Sequence, residues 1–168
     1  RTCSGYRTEQ AELMRRKDKE LTDTERIEQI LTGALFCHVA LCDHDRPYCV
    51  PMCLAYHDGK ILLHSADAGR KIDILHTNPH VCIIVETGIQ LITGERPCEY
   101  GMAYESVMIE GTASFLRGDG KVRALEQIAM QYAHETGAPY TKEQNSGIAV
   151  IEVIITSCTG RRSGSVPS

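Results

Sequence analysis

The run His64-Ser65-Ala66-Asp67-Ala68-Gly69-Arg70-Lys71 concentrates an imidazole, a hydroxyl, a glycine and two cations where an apolar strand gives way to a short helix. Backbone N–H groups without intrahelical partners, and the positive end of the helix dipole, favour an anion at such a junction. Ser65, Arg70 and Lys71 add the donors and charge that suit a phosphate. A capped surface helix carrying two cations by chance has the same composition, so the turn alone leaves both readings open. His64 stands directly before it and is the one of seven histidines with other candidate site residues beside it. Imidazole exchanges protons near neutral pH, so His64 is either the candidate general acid or a packed histidine bonded to backbone.

Eight cysteines (Cys3, Cys37, Cys42, Cys49, Cys53, Cys82, Cys98 and Cys158) suggest at first a disulfide or metal framework. Their spacing argues against it. There is no Cys-x-x-Cys pair, and Cys37 and Cys42 have opposite parity, so they point to opposite faces of one strand. Most lie among Val, Ile and Leu, where a free cysteine packs as a small apolar residue. Buried reduced thiols are the expectation, and no metal site is assigned; a redox-active thiol remains an alternative.

The elements that must position these residues belong to one domain. A chain of 168 residues with 42% hydrophobic content can bury a real core. A net charge of −4 gives no basic field, which argues against nucleic acid as a partner. No apolar run approaches the roughly 18 residues of a membrane span, and Arg1 to Lys19 lacks the apolar stretch of a signal peptide. A cytoplasmic protein is expected.

Thr22-Asp23-Thr24-Glu25 has the form of a capping box, with Ile27, Ile30 and Leu31 at helical spacing after it and Gly33 as the stop. Ala34 to Cys42 reads as a strand, Asp43 to Arg46 as a polar turn, and Pro47 to Tyr56 as a second strand. His57-Asp58-Gly59-Lys60 is a hairpin signal that returns the chain as Ile61 to His64. Lys71 to His76 should be helical and end at Asn78-Pro79, followed by a strand from Val81 to Glu86. Thr87 to Glu99, with Gly88, Gly94 and Pro97, reads as a long loop. Ser106 to Leu116 is a strand and Gly118-Asp119-Gly120 a turn. Lys121 to His134 is a helix with Val122, Leu125, Ala129 and Tyr132 on one face and Gly137 at its end; Gly147 to Thr156 is the last strand.

Six strands joined by hairpins and long loops predict a mainly β (α+β) fold, a six-stranded antiparallel barrel with short flanking helices, rather than a doubly wound sheet. The implied organisation is an N-terminal arm over 1–21, a barrel domain over 22–160 and a flexible tail over 161–168. Neither a Gly-x-Gly-x-x-Gly fingerprint nor a Walker A loop is present, so a nucleotide-like ligand must be held in another way. Pro51 removes a ladder N–H inside its strand. It either forces a bulge that frees neighbouring backbone groups for the polar edge of a ring, or marks an edge strand. Tyr48, Tyr100 and Tyr104 can supply aromatic surface to a ligand or serve as core and interface residues.

Four motifs, in order, resemble those of the nitroimidazole-resistance branch of the pyridoxamine phosphate oxidase-like flavoproteins. They are Met14-Arg15-Arg16-Lys17-Asp18-Lys19-Glu20, Arg46-Pro47-Tyr48-Cys49-Val50-Pro51-Met52, His64-Ser65-Ala66 with Gly69-Arg70-Lys71, and Tyr104-Glu105-Ser106-Val107. The resemblance runs from Met14 to about Gly160. It implies an FMN-binding split barrel working as a homodimer, with the flavins in the subunit interface. By position, Ser65, Arg70 and Lys71 would hold the FMN phosphate, with Arg15 or Arg16 assisting from the arm. Val50, Pro51, Met52 and Cys53 would run beside the isoalloxazine ring. Tyr104, Glu105, Ser106 and Val107 would close the site from the partner subunit, and His64 would lie near ring and substrate.

Departures bound the function. The arginine-rich C-terminal motifs of pyridoxamine phosphate oxidases proper are replaced by Thr159-Gly160-Arg161-Arg162, which argues against that reaction. Glu105 stands where the family often carries arginine, and Cys98-Glu99-Tyr100-Gly101-Met102 resembles a subgroup motif without an assigned role. Two classes of function follow: an FMN-dependent oxidoreductase passing electrons from a reduced donor such as a nicotinamide to a small acceptor such as a nitroaromatic or quinone, or a carrier of FMN or haem without turnover, with His38, His57 or His64 as an axial ligand.

Overall fold

The computed structural model describes residues 15–133 and 146–164. Asp23 caps the first helix, α1 (Thr24–Gly33), its carboxylate accepting from Arg26 N at 3.2 Å. The capping residue is therefore Asp23 and not Thr22, one position later than the box suggests. Ile27, Ile30 and Leu31 form the buried stripe of this helix.

Eight strands occur among the described residues: β1 (Glu20–Leu21), β2 (Cys37–Asp43), β3 (Arg46–Met52), β4 (Leu54–His57), β5 (Lys60–Ala66), β6 (His80–Ile92), β7 (Gly101–Leu116) and β8 (Ile148–Ser163). All their pairings are antiparallel, in the order β3-β2-β6-β7-β8-β5-β4, with β1 added to β8. The two ends of that order, β3 and β4, are successive in the chain and separated by Cys53 alone. At Cys53 one extended stretch leaves β2 and takes up β5, which closes the sheet on itself. Counting β3 and β4 as one bent strand, and setting the two-residue β1 aside, gives the expected six-stranded barrel. The turn at Asp58-Gly59, with φ of 50° and 73°, is the tight hairpin the sequence predicts.

The barrel interior is filled by side chains including Leu54, Ile61, Leu63, Ile83, Ile109, Ile151 and Ile155, each essentially inaccessible to solvent. Helices α1 and α2 (Arg70–Thr77) contribute Leu31, Ile72 and Leu75 to this core. A third helix, α3 (Gly118–Ala133), covers the other side of β4, β5 and β8 through Ala124, Leu125 and Ile128. This explains the unbroken run Ile61-Leu62-Leu63: Leu62 packs under α3 while its neighbours face the barrel. Such a strand is buried on both faces.

Several boundaries differ from expectation. Strand β6 continues to Ile92 and β7 starts at Gly101, so the loop expected over 87–99 shrinks to a short connection with a 3-10 turn at Pro97–Glu99. The irregularity lies between Thr87 and Gln90, where the β6–β7 register shifts around Gly88. Gly118 to Gly120 open α3 instead of forming a turn, and its buried face is Ala124, Leu125 and Ile128, with Val122 and Ala129 half-buried. Strand β8 extends through Arg161, Arg162 and Ser163, so the segment expected as a tail is ladder up to that point: Glu20 and Leu21 pair with Arg161 and Gly160, which also ties the arm to the barrel. A second irregularity between Glu110 and Gly111 lets β8 approach closely, because a Cβ at Gly111 would lie 2.5 Å from Val153 Cγ1. Residues 134, 137 and 165–168, like Met14, lie outside the described residues. No helix among the described residues is long and apolar enough to cross a membrane.

Candidate functional site

β5 ends at Ala66, and Asp67 N donates to Gly147 O at 3.0 Å, pinning the turn to the start of β8. Gly69 has φ +111°, a conformation that favours glycine, and its carbonyl accepts from Ile72 N and Asp73 N to start α2. No side chain among the described residues caps this helix, and with Ile72 N and Asp73 N taken by Gly69 O, the N–H groups of Arg70 and Lys71 are the ones without an intrahelical acceptor.

Beside it opens a cleft of about 380 Å³ lined by Pro51, Met52, Cys53, His64, Ser65, Ala66, Lys71, Gly147 and Ile148. Three separate stretches of the sequence thus meet, and six predicted site residues are brought together: Pro51, Met52, Cys53, His64, Ser65 and Lys71. His64 Nδ1 is buried without a hydrogen-bond partner. His64 as a residue is part of the cleft lining, while Nδ1 itself is inaccessible to solvent in the single chain. The Ser65 hydroxyl donates to Ala66 O at 2.7 Å and retains lone pairs as an acceptor.

The remaining predicted residues lie elsewhere. Arg70 turns away from the cleft: its guanidinium donates to Asp43 Oδ2 at 3.3 Å and sits 4.6 Å from the centre of the Tyr48 ring. His44 and Arg70 together hold the Asp43 carboxyl below its ordinary range. Val50 packs against the barrel core, on the opposite side of β3 from Pro51. Arg16 is exposed and donates to both oxygens of Asp18, at 2.8 and 2.6 Å, which lowers that carboxyl to about 2; Arg15 is exposed beside it. The bulge expected at Pro51 is absent: β3 keeps register with β2 through His38↔Pro51 and Cys37↔Met52, as an edge position allows, and the break comes at Cys53.

Tyr104, Glu105, Ser106 and Val107 do not reach the cleft of their own chain. Val107 is in the barrel core, and Tyr104 and Ser106 face the opposite side of β7. Glu105, 1% exposed, is held by two arginines. Arg26 donates to Oε2 from Nε at 2.9 Å and from Nη2 at 2.6 Å, and Arg162 Nε donates to Oε1 at 2.7 Å. Burial pushes its carboxyl upward, but the two guanidinium groups outweigh it and the net shift is down.

Two contributors escape sequence reasoning. Gly147 and Ile148 supply a wall of the cleft from the start of β8. Tyr132 fixes the strand break: its Oη accepts from Leu54 N at 2.9 Å and lies 2.8 Å from Leu35 O, and burial raises the phenol to about 12. The helical apolar spacing of Tyr132 gives its position on α3 but not this role. The cysteines also depart from expectation. Cys37 is buried, with its thiol raised to about 12 by burial, whereas Cys42, Cys49, Cys53 and Cys98 are exposed; all the described cysteines are free, and Cys3 lies outside the described residues. No cluster of metal-ligating side chains occurs among the described residues. His38 Nδ1 lies 3.6 Å from Glu86, the exposed His57 lies beside Asp58, and neither is in the lining of the cleft that holds His64.

A solved structure from Bacteroides thetaiotaomicron, described as that of a candidate 5-nitroimidazole antibiotic resistance protein, is 32% identical, with a TM-score of 0.75 over 85% of this chain and 86% of that one. The flavocytochrome Anf3 of Azotobacter vinelandii is 18% identical, with a TM-score of 0.79 over 96% of this chain and 77% of that one. The FAD and haem binding protein of Mycobacterium smegmatis is 16% identical, with a TM-score of 0.79 over 89% of this chain and 76% of that one. The last two likenesses concern the fold. No curated protein matches the chain in sequence. The pyridoxamine 5'-phosphate oxidase family model matches residues 23–162, the whole barrel from the cap of α1 to Arg162, and the chain belongs to that family.

Proposed function

We propose that this protein is an FMN-dependent oxidoreductase that takes electrons from a reduced donor, such as a nicotinamide, and passes them to a small acceptor such as a nitroaromatic or quinone. The observation that carries this reading is the cleft in which 51–53, 64–66 and Lys71 meet, with His64 in its lining. A bound flavin would supply the electron chemistry. The chain's residues bind and orient it. The Lys71 ammonium and the open N–H groups of α2 suit a phosphate, and the Pro51 to Cys53 edge gives backbone groups for the polar side of a planar ring. In this reading the His64 imidazole donates or accepts one proton.

A homodimer belongs to this reading. Pro51, His38, Ile84 and Met108 form one continuous row across β3, β2, β6 and β7, starting at the cleft. Met108 is 43% exposed, and Ile89, Leu91, Tyr100 and Met102 extend the apolar exposure along β6 and β7. A second copy on this face would bury it and bring a partner's strand to the cleft's open side.

The test is the visible spectrum of the purified protein and titration of its ligand-free form with FMN, followed by turnover. Flavin bands and oxidation of reduced nicotinamide driven by an organic acceptor are expected. Failure to bind FMN overturns the reading. A Soret band, or bound flavin without turnover with any donor, supports a carrier instead.

A further inference from the structure

The β5–α2 turn separates the first cleft from a second, of about 440 Å³. The two share Ile148, and their other walls alternate along the chain: Ala66 and Lys71 face the first, Asp67 and Ile72 the second. The floor of the second cleft is apolar, built from Ile72, Phe115, Leu116, Ile148 and Val150. His76 and Phe115 stack at its side with ring centroids 4.6 Å apart and planes inclined by 31°. Arg117 and Lys121 stand on the rim, and the exposed Arg117 guanidinium has no side-chain partner among the described residues. Asp67 is the one carboxylate among the described residues of the lining.

We propose that this second cleft binds the adenosine-phosphate portion of a dinucleotide whose reactive ring works at the first. An apolar floor with an aromatic pair accepts a planar ring, and a guanidinium beside an ammonium accepts phosphate. The Asp67 carboxylate would repel a bare anion but accepts hydrogen bonds from ribose hydroxyls or a ring amine, which selects a nucleotide over inorganic phosphate. The shared wall at 66–67 and 71–72 places the two clefts within one ligand's span. The assignment of a dinucleotide rests on the flavin reading of the first cleft. Two sources present this chemistry: the far half of a flavin dinucleotide, and the handle of a reduced nicotinamide dinucleotide.

The experiment is calorimetric titration of the full chain with ADP and with pyrophosphate, repeated for Arg117→Ala and Lys71→Ala. ADP should bind more tightly than pyrophosphate. Arg117→Ala should weaken ADP by about tenfold or more, as loss of a charge-assisted contact does, while Lys71→Ala leaves ADP affinity within about twofold. Arg117 is on the surface, so the variant keeps the fold. Absence of ADP binding, equal binding of pyrophosphate, or sensitivity to Lys71 without sensitivity to Arg117 overturns the proposal. Both sources support it and are told apart in the same samples. FAD binding more tightly than FMN, with the gain lost in Arg117→Ala, identifies the flavin dinucleotide. Equal FMN and FAD affinities with a raised nicotinamide KM in Arg117→Ala identify the donor. FMN that fails to bind sinks the reading of the first cleft, whereas FMN retained without ADP binding sinks only this one.

Discussion

Glu105 and Arg162 face each other across β7 and β8 as register partners, and Arg162 Nε donates to Glu105 Oε1 at 2.7 Å inside a barrel wall where the carboxylate is almost fully buried. Arg26 reaches the other oxygen from α1, so one carboxylate joins a helix to two strands. Glu105→Gln keeps the volume but removes the charge that both arginines answer. It should lower unfolding free energy by about 1.5–3 kcal/mol, read as a reduced urea midpoint with an unchanged slope. Because the carboxyl is held below its ordinary value in the folded protein, its contribution is present above the unfolded pKa, about 4.3. It is lost as pH falls through the lower folded value. The variant should therefore differ from the parent at pH 7 and converge with it in acid; equal midpoints at pH 7 would show that the triad stabilises nothing.

Lys71 is the cation among the described residues that line the first cleft, whereas Arg70 is engaged by Asp43 and Tyr48. Lys71→Ala should weaken FMN by about 10- to 150-fold, with folding intact. Arg70→Ala should weaken it less. Fluorescence titration of the ligand-free proteins gives both constants, and unchanged affinity in Lys71→Ala removes the phosphate assignment.

His64→Phe separates chemistry from packing. The unpaired buried Nδ1 gives the folded chain no hydrogen bond to lose, so thermal stability should not fall. Reoxidation of the reduced flavoprotein by an organic acceptor should slow by about tenfold or more, as with loss of a general acid. Stopped-flow traces across pH supply the check. A wild-type rate and pH profile would assign the proton to another donor.

Met108 lies in the row that runs from Pro51 across the sheet, and its side chain is exposed in the single chain. If the proposed dimer forms, Met108→Lys should leave a monomer in sedimentation at micromolar concentration and weaken FMN retention with it. A parent protein that sediments as a monomer when loaded with flavin rules the dimer out.

Tyr132→Phe deletes the hydroxyl that serves Leu54 N and Leu35 O at the strand break. The unpaired groups should cost about 1–3 kcal/mol, measurable by denaturant titration. Hydrogen exchange at Leu54 should accelerate more than exchange in the middle of β7, which locates the effect at the break.

Local signals made much of this legible. Asp58-Gly59 dictates its hairpin, Asn78-Pro79 ends α2, and the helix-turn chemistry at Ser65 to Lys71 marks one side of the cleft before any fold is known. The illegible parts depend on partners distant in sequence. Gly88 and Gln90 look like loop residues, yet β7 offers a ladder that carries β6 to Ile92. Arg161 and Arg162 look like a solvated tail until β1 and the buried Glu105 are seen to receive them. Pro51 marks an edge strand and forms no bulge; the break falls two residues later, where Tyr132, from a helix far along the chain, binds Leu54.

The place of β8 in the sheet has a consequence for biosynthesis. It is inserted between β7 and β5, so before Ile148–Ser163 leaves the ribosome the native pairings open to the other strands make only two separate ladders, β4–β5 on one side and β3-β2-β6-β7 on the other. Each would present an unsatisfied edge along which other nascent chains can add. Translation proceeds at about 5–20 residues per second, so this exposure lasts for seconds while the α3 region and the final strand are made. Slowed elongation through that region should raise aggregation and chaperone demand even though no residue of the finished protein has changed.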